Sequence, residues 1–333
     1  MAPINFGQLN DLITAKQDSS APLQLNEKPQ GVNPNSDLVA PTSELTAPSL
    51  QLSTQPEPFQ PKGHHRFAVP PAQGTTVAFR SLIAGQGKSV LALNFAFEAA
   101  ALGNSVCLVD LDLTAPTLNR YFGLVDAKSA VTALARLIGQ QRFDQSSLES
   151  TVVTIEAKGA TLDLLTSASA STALGNTDPI EVLLEYLALR YQVVVIDVGS
   201  GSSTELHQIC DRVATSQYLV VQADPVSLGR HLAAESGSVA LPNARLVVNR
   251  VRQSSLGAKP EWQVSQVLGA RSSHEIAAFV PDHGEASDRA MLSGIPLRQA
   301  APKSPALQAI SVLVANQLSP TRQSKKLGRM TKL

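Results

Sequence analysis

TTVAFRSLIAGQGKSVLALNFAFEAAA, residues 75–101, is the stretch that decides the fold we predict for this chain. TTVAF is a short apolar strand, and the sequence from Lys88 onward has the apolar content and length of a helix. The loop between them ends in GQGKS. A strand that turns tightly into a helix directs backbone N–H groups and the positive end of the helix dipole at one point. We therefore predict that this turn binds phosphate.

The residue types in GQGKS suit the phosphates of a nucleotide. Gly85 and Gly87 have no Cβ, so the backbone can approach phosphate oxygens closely. In loops of this kind, Lys88 would reach the β and γ phosphates and the Ser89 hydroxyl would ligate Mg²⁺. The full pattern is GxxxxGK[ST], and its first glycine position is occupied by Leu82, so an ordinary glycine-containing turn with an exposed lysine is the alternative. The candidate nucleotide ligands in this stretch are Gly85, Gln86, Gly87, Lys88, Ser89 and Val90.

Three carboxylates follow predicted strands elsewhere in the chain. SVCLVDLD leaves Asp110 and Asp112 at the end of one strand, and QVVVIDV leaves Asp197 near the end of another. In an open parallel sheet, ligands bind outside the carboxyl ends of the strands, so these acids should converge on the GQGKS loop. A nucleotide with Mg²⁺ needs an acid to support the metal and another to orient the attacking water. For each acid alone, the alternative is a helix N-cap.

The rest of the chain alternates short apolar strands with helical sequence. Further strands are predicted at TLDLL, QVVVIDV, SQYLVVQ, ARLVVNRV and EIAAFVP. Strands that are almost continuously apolar and alternate with helices predict an α/β fold, a doubly wound, mostly parallel sheet with helices on both faces. ALQAISVLVANQL is predicted to be the last core helix. The helix DPIEVLLEYLALR should bury one face, made of Ile180, Leu183, Leu184 and Leu187.

The two ends of the chain differ from the middle. Residues 1–72 hold eleven of the 21 prolines, and we expect this segment to be disordered because it cannot bury enough apolar area. Its one apolar stripe is either a nascent helix or a peptide that docks on a partner: Phe6, Leu9, Leu12 and Ile13. We predict one domain over residues 73–318 and a disordered basic tail over residues 319–333.

Composition sets limits on location and partners. The net formal charge is zero, so attraction to nucleic acid or to an anionic membrane must be local. Cys107 and Cys210 lack the spacing of metal ligands, which predicts two reduced core thiols. The sequence has neither an apolar run of membrane-spanning length nor a secretory signal at its start. We expect a cytoplasmic protein.

The order of the motifs resembles the MinD/ParA family of ATPases with a deviant Walker A loop. The resemblance covers nearly all of residues 75–318 and is most specific at AGQGKS, DLD, IDVGSG and VPDHGEASDRAMLSGIPL. Within that family the sequence looks most similar to the TadZ/CpaE-like members of pilus-assembly loci, although the receiver-like N-terminal domain usual in those members is not evident. The resemblance implies a P-loop NTPase fold and the cofactors ATP and Mg²⁺.

The resemblance also implies roles at the phosphates. Lys88 would bind the β and γ phosphates, and Ser89 would ligate Mg²⁺. Asp112 would help to place the attacking water, with Asp110 beside it in the first switch segment. Asp197 would support the metal from its strand end. The implied catalytic set is therefore Lys88, Asp112 and Asp197, and the implied metal set is Ser89, Asp112 and Asp197.

At the base, the resemblance implies that Asn249 contacts adenine and that Pro281 and Asp282 lie near it. Gly201 would close the second switch loop. Arg250 and Arg252 could belong to a DNA-binding face like that of ParA, or could form salt bridges.

The loop departs from the pattern of that family. The pattern is KGGxGK[ST], and its first lysine reaches across a dimer to the nucleotide of the partner. In this sequence that position is Ile83, and the next is Ala84. Isoleucine cannot stabilise the charge that develops in phosphoryl transfer. We therefore expect nucleotide binding with weak ATPase activity.

The resemblance implies a homodimer that acts as a nucleotide-dependent positioning switch for pilus assembly or cell division, with a secretion ATPase as a candidate partner. The basic tail could contact anionic lipid on the inner face of the plasma membrane. One alternative is a pseudo-ATPase scaffold of the same fold, and a further one is a ParA-like chromosome-partitioning ATPase. Without paired cysteines, an iron–sulfur carrier of this fold is disfavoured.

Overall fold

The computed structural model describes residues 74–124, 129–167, 177–237, 241 and 243–319. The predicted disordered segment 1–72, with its apolar stripe from Phe6 to Ile13, lies outside the described residues. The same holds for the predicted basic tail, apart from Ser319. Within the described residues, no helix combines the length and the apolar character needed to cross a membrane.

Eight strands form one sheet. They are β1 (Thr75–Arg80), β2 (Val106–Leu111), β3 (Val153–Ala157), β4 (Ala160–Leu165), β5 (Val193–Val198), β6 (Ser216–Gln222), β7 (Ala244–Val251) and β8 (Ile276–Pro281). Their order across the sheet is β3-β4-β2-β5-β1-β6-β7-β8. All neighbours are parallel except β3 and β4, which are antiparallel. This arrangement confirms the predicted mostly parallel α/β sheet.

Helices connect the strands. They are α1 (Lys88–Ala101), α2 (Leu118–Tyr121), α3 (Ala130–Gly139), α4 (Gln145–Glu149), α5 (Asp178–Arg190), α6 (Thr204–Val213), α7 (Pro225–Ser236), α8 (Gln253–Leu256), α9 (Pro260–Arg271), α10 (Gly284–Ser293), α11 (Leu297–Ala300) and α12 (Pro305–Leu318). One apolar core joins α1 and α12 to one face of the sheet, and a second joins α3, α5 and α6 to the other. The helices therefore cover both faces, as predicted.

Burial of the central strands explains their apolar sequences. All six residues of β5 are buried, because α/β sheets of this kind are covered on both faces. The predicted apolar face of α5, made of Ile180, Leu183, Leu184 and Leu187, is fully buried. The predicted last core helix is α12, which buries Leu307, Ile310, Leu313 and Val314. Cys107 and Cys210 are free and buried, as predicted.

Strand β3 was not among the predicted strands. It pairs with β4 through a two-residue turn at Lys158 and Gly159, which have φ values of 42° and 74°. Two positive φ values suit a tight hairpin whose twist matches that of its strands. Lysine rarely adopts this conformation, so the sequence Lys-Gly is a weak turn signal. The alternating, partly polar sequence VTIEA gives no long apolar run by which to recognise the edge strand.

The buried face of α5 yields a test of the core. Leu187→Ala should lower the free energy of unfolding by about 2–5 kcal/mol, because Leu187 is fully buried and its removal leaves a cavity. Leu189→Ala is the matched control on the same helix, since Leu189 is 64% exposed, and it should change stability by less than about 0.5 kcal/mol. Urea denaturation of both variants measures the difference. Equal effects would contradict this assignment of the buried face.

Candidate functional site

The GQGKS loop leaves the middle of the sheet. Strand β1 lies between β5 and β6, and the loop connects it to α1. Gly85 and Gly87 have φ values of 82° and 80°, a left-handed conformation that glycine adopts without steric cost. Gly87 is the N-cap of α1, and its carbonyl accepts the first helical hydrogen bond from the Leu91 N–H at 3.1 Å. The loop therefore has the strand–turn–helix context on which the phosphate prediction depends.

Lys88 and Asp197 form a buried ion pair at the start of α1. The Lys88 Nζ contacts Asp197 Oδ1, and Asp197 is fully buried. The Ser89 Oγ lies 3.3 Å from Lys88 Nζ and accepts a hydrogen bond from Thr117 Oγ1 at 3.2 Å. The sequence predicted that Lys88, Ser89 and Asp197 lie close together, and in the structure they form one cluster.

Asp110 is the second acid of this cluster. It stands opposite Asp197 in the register of β2 and β5. Its carboxylate accepts hydrogen bonds from the backbone N–H groups of Asp112, Thr117 and Leu118 at 3.1–3.2 Å. Burial, and next the charge of Asp197, raise the pKa of Asp110 to about 7. The backbone donors and Lys88 oppose that increase.

The excess of negative charge in this cluster suits the binding of a metal cation. Two carboxylates share one lysine, and within the described part of the chain Asp197 Oδ2 is buried without a hydrogen-bond partner. A buried acceptor without a partner is costly. No group of three His, Cys, Asp or Glu side chains among the described residues could hold a metal ion by itself. The cluster therefore fits a Mg²⁺ ion that takes other ligands from a hydroxyl, phosphates and water.

Asp112 joins the loops that follow β2 and β5. Its Oδ1 accepts hydrogen bonds from Thr114 Oγ1 and the Ala115 N–H, both at 2.9 Å. It also lies against Gly199, where a Cβ would be 2.5 Å from the Asp112 carboxylate. At Gly201, a Cβ would come 3.6 Å from Thr114 Oγ1. The two predicted switch segments are thus in contact at Asp112.

Gln86 and Asn249 lie on the other side of the loop. Asn249 Nδ2 donates a hydrogen bond to the Gln86 carbonyl at 2.9 Å. Gln86 Oε1 accepts one from the Gln222 N–H at 2.7 Å. Val90 lies in the first turn of α1, where its carbonyl accepts a hydrogen bond from Asn94 Nδ2 at 2.8 Å. The contacts of Asn249 with the loop were not anticipated from the sequence.

Pro281 and Asp282 lie at the end of β8, beside β7. Pro281 pairs with Val251. Asp282 forms an ion pair with Arg252 at 2.9 Å. Arg250 Nη1 donates to Gln222 Oε1 at 3.2 Å. Both arginines of the candidate DNA-binding face therefore make contacts within the chain.

Arg80 is a buried cation that sequence reasoning missed. Its guanidinium donates to His207 Nδ1 at 3.2 Å, and to Asp211 Oδ1 and Gln217 Oε1 at 2.5 Å each. Only 3% of Arg80 is exposed. Arg80, His207 and Asp211, together with other residues of the loop and of α6, line a cavity of about 300 Å³. The only sequence signal was an arginine that ends an apolar strand directly before the loop.

The fold and the cluster at α1 define a class. A parallel sheet whose central strand turns through GQGKS into a helix, with acids at the ends of neighbouring strands, is a P-loop nucleotide-binding domain. Residues 77–297 match the family described as the CobQ/CobB/MinD/ParA nucleotide binding domain. The chain belongs to this family, which confirms the resemblance to MinD and ParA. The TadZ/CpaE-like assignment stays a prediction.

Solved structures of relatives share the fold. A ParA family ATPase from Chlorobium tepidum TLS is 21% identical with a TM-score of 0.59, over 72% of this chain and 98% of that one. MinD from Pyrococcus horikoshii OT3, solved with Mg-ADP, is 18% identical with a TM-score of 0.55, over 78% and 100%. A chain of the MinC:MinD complex of Aquifex aeolicus is 19% identical with a TM-score of 0.56, over 73% of this chain and 95% of that one. Among curated proteins, none matches this chain.

The Arg80 cluster predicts a loss of stability in acid. Burial, and next the charge of Arg80, lower the pKa of His207 to about 4. Between about pH 6.5 and 4 the unfolded chain binds a proton at this residue and the folded chain does not, so stability should fall as the pH falls. His207→Gln keeps an acceptor for Arg80 and should flatten that part of the curve. Urea denaturation across this range measures it, and an unchanged slope would contradict the prediction.

Proposed function

We propose that this protein binds ATP with Mg²⁺ at the GQGKS loop and acts as a nucleotide-dependent positioning switch with weak ATPase activity. The observation that carries the proposal is the contact of Lys88 with Asp197 beside Ser89. A lysine and an acid held together at the start of a helix are the two groups that a metal-bound triphosphate would separate and use. MinD of Pyrococcus horikoshii, solved with Mg-ADP, supports this choice of ligand.

Each side chain of the cluster has a role in this proposal. Lys88 would leave Asp197 and contact the β and γ phosphates. Asp197, freed from the lysine, would support the metal together with the Ser89 hydroxyl, and Mg²⁺ would neutralise charge on the phosphates. Asp112 would orient the attacking water, because it already connects the two loops that border the site. Asp110, protonated near its pKa of about 7, would ionise more readily when a cation is added.

The base would lie toward β7 and β8. Asn249 is the proposed adenine contact, and it lies beside the loop at the end of β7. Pro281 ends the neighbouring strand, β8, and Asp282 follows it directly. The order of the sheet therefore supports a path from the phosphates at β1 to the base at β7 and β8.

Membership of the family supports a proposal for the partners and the location. We propose a cytoplasmic homodimer that positions a pilus-assembly or division machine, in line with the TadZ/CpaE-like resemblance, with a secretion ATPase as a candidate partner. The MinC:MinD complex supports a protein partner for this fold. The basic tail would add contact with anionic lipid on the inner face of the plasma membrane. DNA binding, as in a chromosome-partitioning ATPase, has less support. Arg252 forms an ion pair with Asp282, and Arg250 donates a hydrogen bond to Gln222, so both arginines already have partners within the chain.

A pseudo-ATPase scaffold is the second candidate function. One observation favours it: Ile83 stands at the position of the first lysine of the KGGxGK[ST] pattern, the signature lysine of the family. In that case the protein would act as a scaffold. It would either bind nucleotide without hydrolysing it or bind no nucleotide.

Calorimetric titration with ATP and Mg²⁺ tests the proposal. The wild type should bind, and Lys88→Ala should weaken binding at least about tenfold, because charge-assisted contacts with phosphate are strong. Lys259→Ala removes an exposed lysine elsewhere and should leave the affinity unchanged. Asp112→Ala should lower hydrolysis with little change in binding. No binding by folded wild-type protein would exclude nucleotide binding as the function.

Restoring the signature lysine tests the weak hydrolysis. Ile83→Lys should raise the ATPase rate at least about tenfold, because it returns positive charge to the transition state. Ala84→Lys places the same charge one residue away, at an exposed position, and should not raise the rate. If neither variant hydrolyses ATP while both bind it, the scaffold function gains.

A further inference from the structure

We infer that Asn249 and Gln86 form a brace that holds the GQGKS loop in its phosphate-binding conformation before nucleotide arrives, so that Asn249 is a positioning residue as well as a candidate base contact. This inference rests on the proposed nucleotide-binding function. It adds a role on the phosphate side of the site that a contact with adenine does not require.

Asn249 is fixed at both ends of its carboxamide. The Nδ2 group donates to the Gln86 carbonyl at 2.9 Å, and Oδ1 accepts from the Arg250 N–H at 3.0 Å. Its backbone carbonyl accepts from the Ala223 N–H at 2.8 Å. Only 7% of the residue is exposed. Asn249 is therefore held rigidly by β7 and the end of β6, and it holds the loop in turn.

Gln86 makes the second half of the brace. Its Oε1 accepts from the Gln222 N–H at 2.7 Å, and its Nε2 donates to the Ala84 carbonyl at 3.2 Å. Gln86 is 5% exposed. Gln222 and Asn249 are paired in the register of β6 and β7. Gln86 therefore ties the loop to two neighbouring strands. Its side chain contacts the end of β6, and its backbone carbonyl contacts Asn249 of β7.

Gly87 makes the close approach of Asn249 feasible. A Cβ at Gly87 would lie 2.4 Å from Asn249 Nδ2, whereas a Cβ at Gly85 would have no atom within 4 Å. Both glycines have left-handed φ values, but only Gly87 is confined by the brace. The last glycine of the motif is therefore needed here to make room for a side chain as well as for phosphate.

The brace has a physical consequence for binding. Glycine-containing loops lose much conformational entropy when they are ordered, and a ligand that must order its own site binds less tightly. The hydrogen bonds of Gln86 and Asn249 supply that order in advance. Because the brace acts on the loop, its loss should weaken binding of the phosphate chain whether or not a base is attached.

Titration with ATP and with inorganic tripolyphosphate, each with Mg²⁺, separates the two roles of Asn249. Asn249→Ala should weaken binding of tripolyphosphate by about five- to tenfold, the effect of one net hydrogen bond, and binding of ATP by at least as much. Gln86→Ala should weaken both ligands to a similar degree. Asn104→Ala is the matched control, because Asn104 Nδ2 also donates to a backbone carbonyl, that of Ala99 at 2.9 Å, but beyond the far end of α1. It should leave both affinities unchanged.

Amide hydrogen exchange without ligand gives an independent readout. Asn249→Ala should speed exchange of the amides in residues 82–89, and Asn104→Ala should not. Loss of ATP binding with tripolyphosphate binding and loop exchange unchanged would overturn the brace and leave a base contact only. Wild-type protein that binds neither ligand would instead overturn the proposed function, and unchanged loop exchange in Asn249→Ala would then overturn the brace separately.

Discussion

The ion pair between Lys88 and Asp197 is the contact on which the candidate site depends. Both groups are buried, and a buried charge is stable only when a partner and hydrogen bonds offset its lost hydration. The lysine is placed by the start of α1 and the acid by the end of β5, so the pair forms only if β1, the loop and β5 are correctly assembled. Removing one partner would leave the other as an unpaired buried charge. Fold and site are therefore coupled through this pair.

The charges around the pair do not balance. Asp110 and Asp197 face each other across neighbouring strands, and one lysine serves both. Backbone N–H groups bond Asp110, but burial and its neighbour still raise its pKa to about 7. A cation and a polyanion added together would resolve this imbalance, because the acids would gain a metal as the lysine turned to phosphate. Under the proposed function, Lys88 is the phosphate-binding group and Asp197 is the metal-binding group, and without ligand these two groups neutralise each other.

Local sequence was enough to predict the sheet and the cluster, because both have local signals. Strands buried on both faces are continuous apolar runs, and GQGKS and the strand-end acids mark one edge of a parallel sheet. The missed features depend on distant residues. Arg80 meets His207 and Asp211 across 127 and 131 positions, and Asn249 meets Gln86 across 163. Edge strand β3 depends on a turn with lysine at positive φ, which local preferences disfavour.

Under the proposed function, nucleotide binding and hydrolysis depend on different residues of the loop. Gln86, Gly87 and Lys88 make the contacts that shape the phosphate side of the site, and these contacts reach β5, β6 and β7. Ile83 lies upstream of all of them, half-buried on the approach to the loop. Isoleucine at this position lacks the positive charge that lysine would supply to a transition state. The conformation held by those contacts does not depend on that charge. If the proposed function is correct, isoleucine at this position would slow turnover and leave nucleotide binding in place, because different residues would support the two properties.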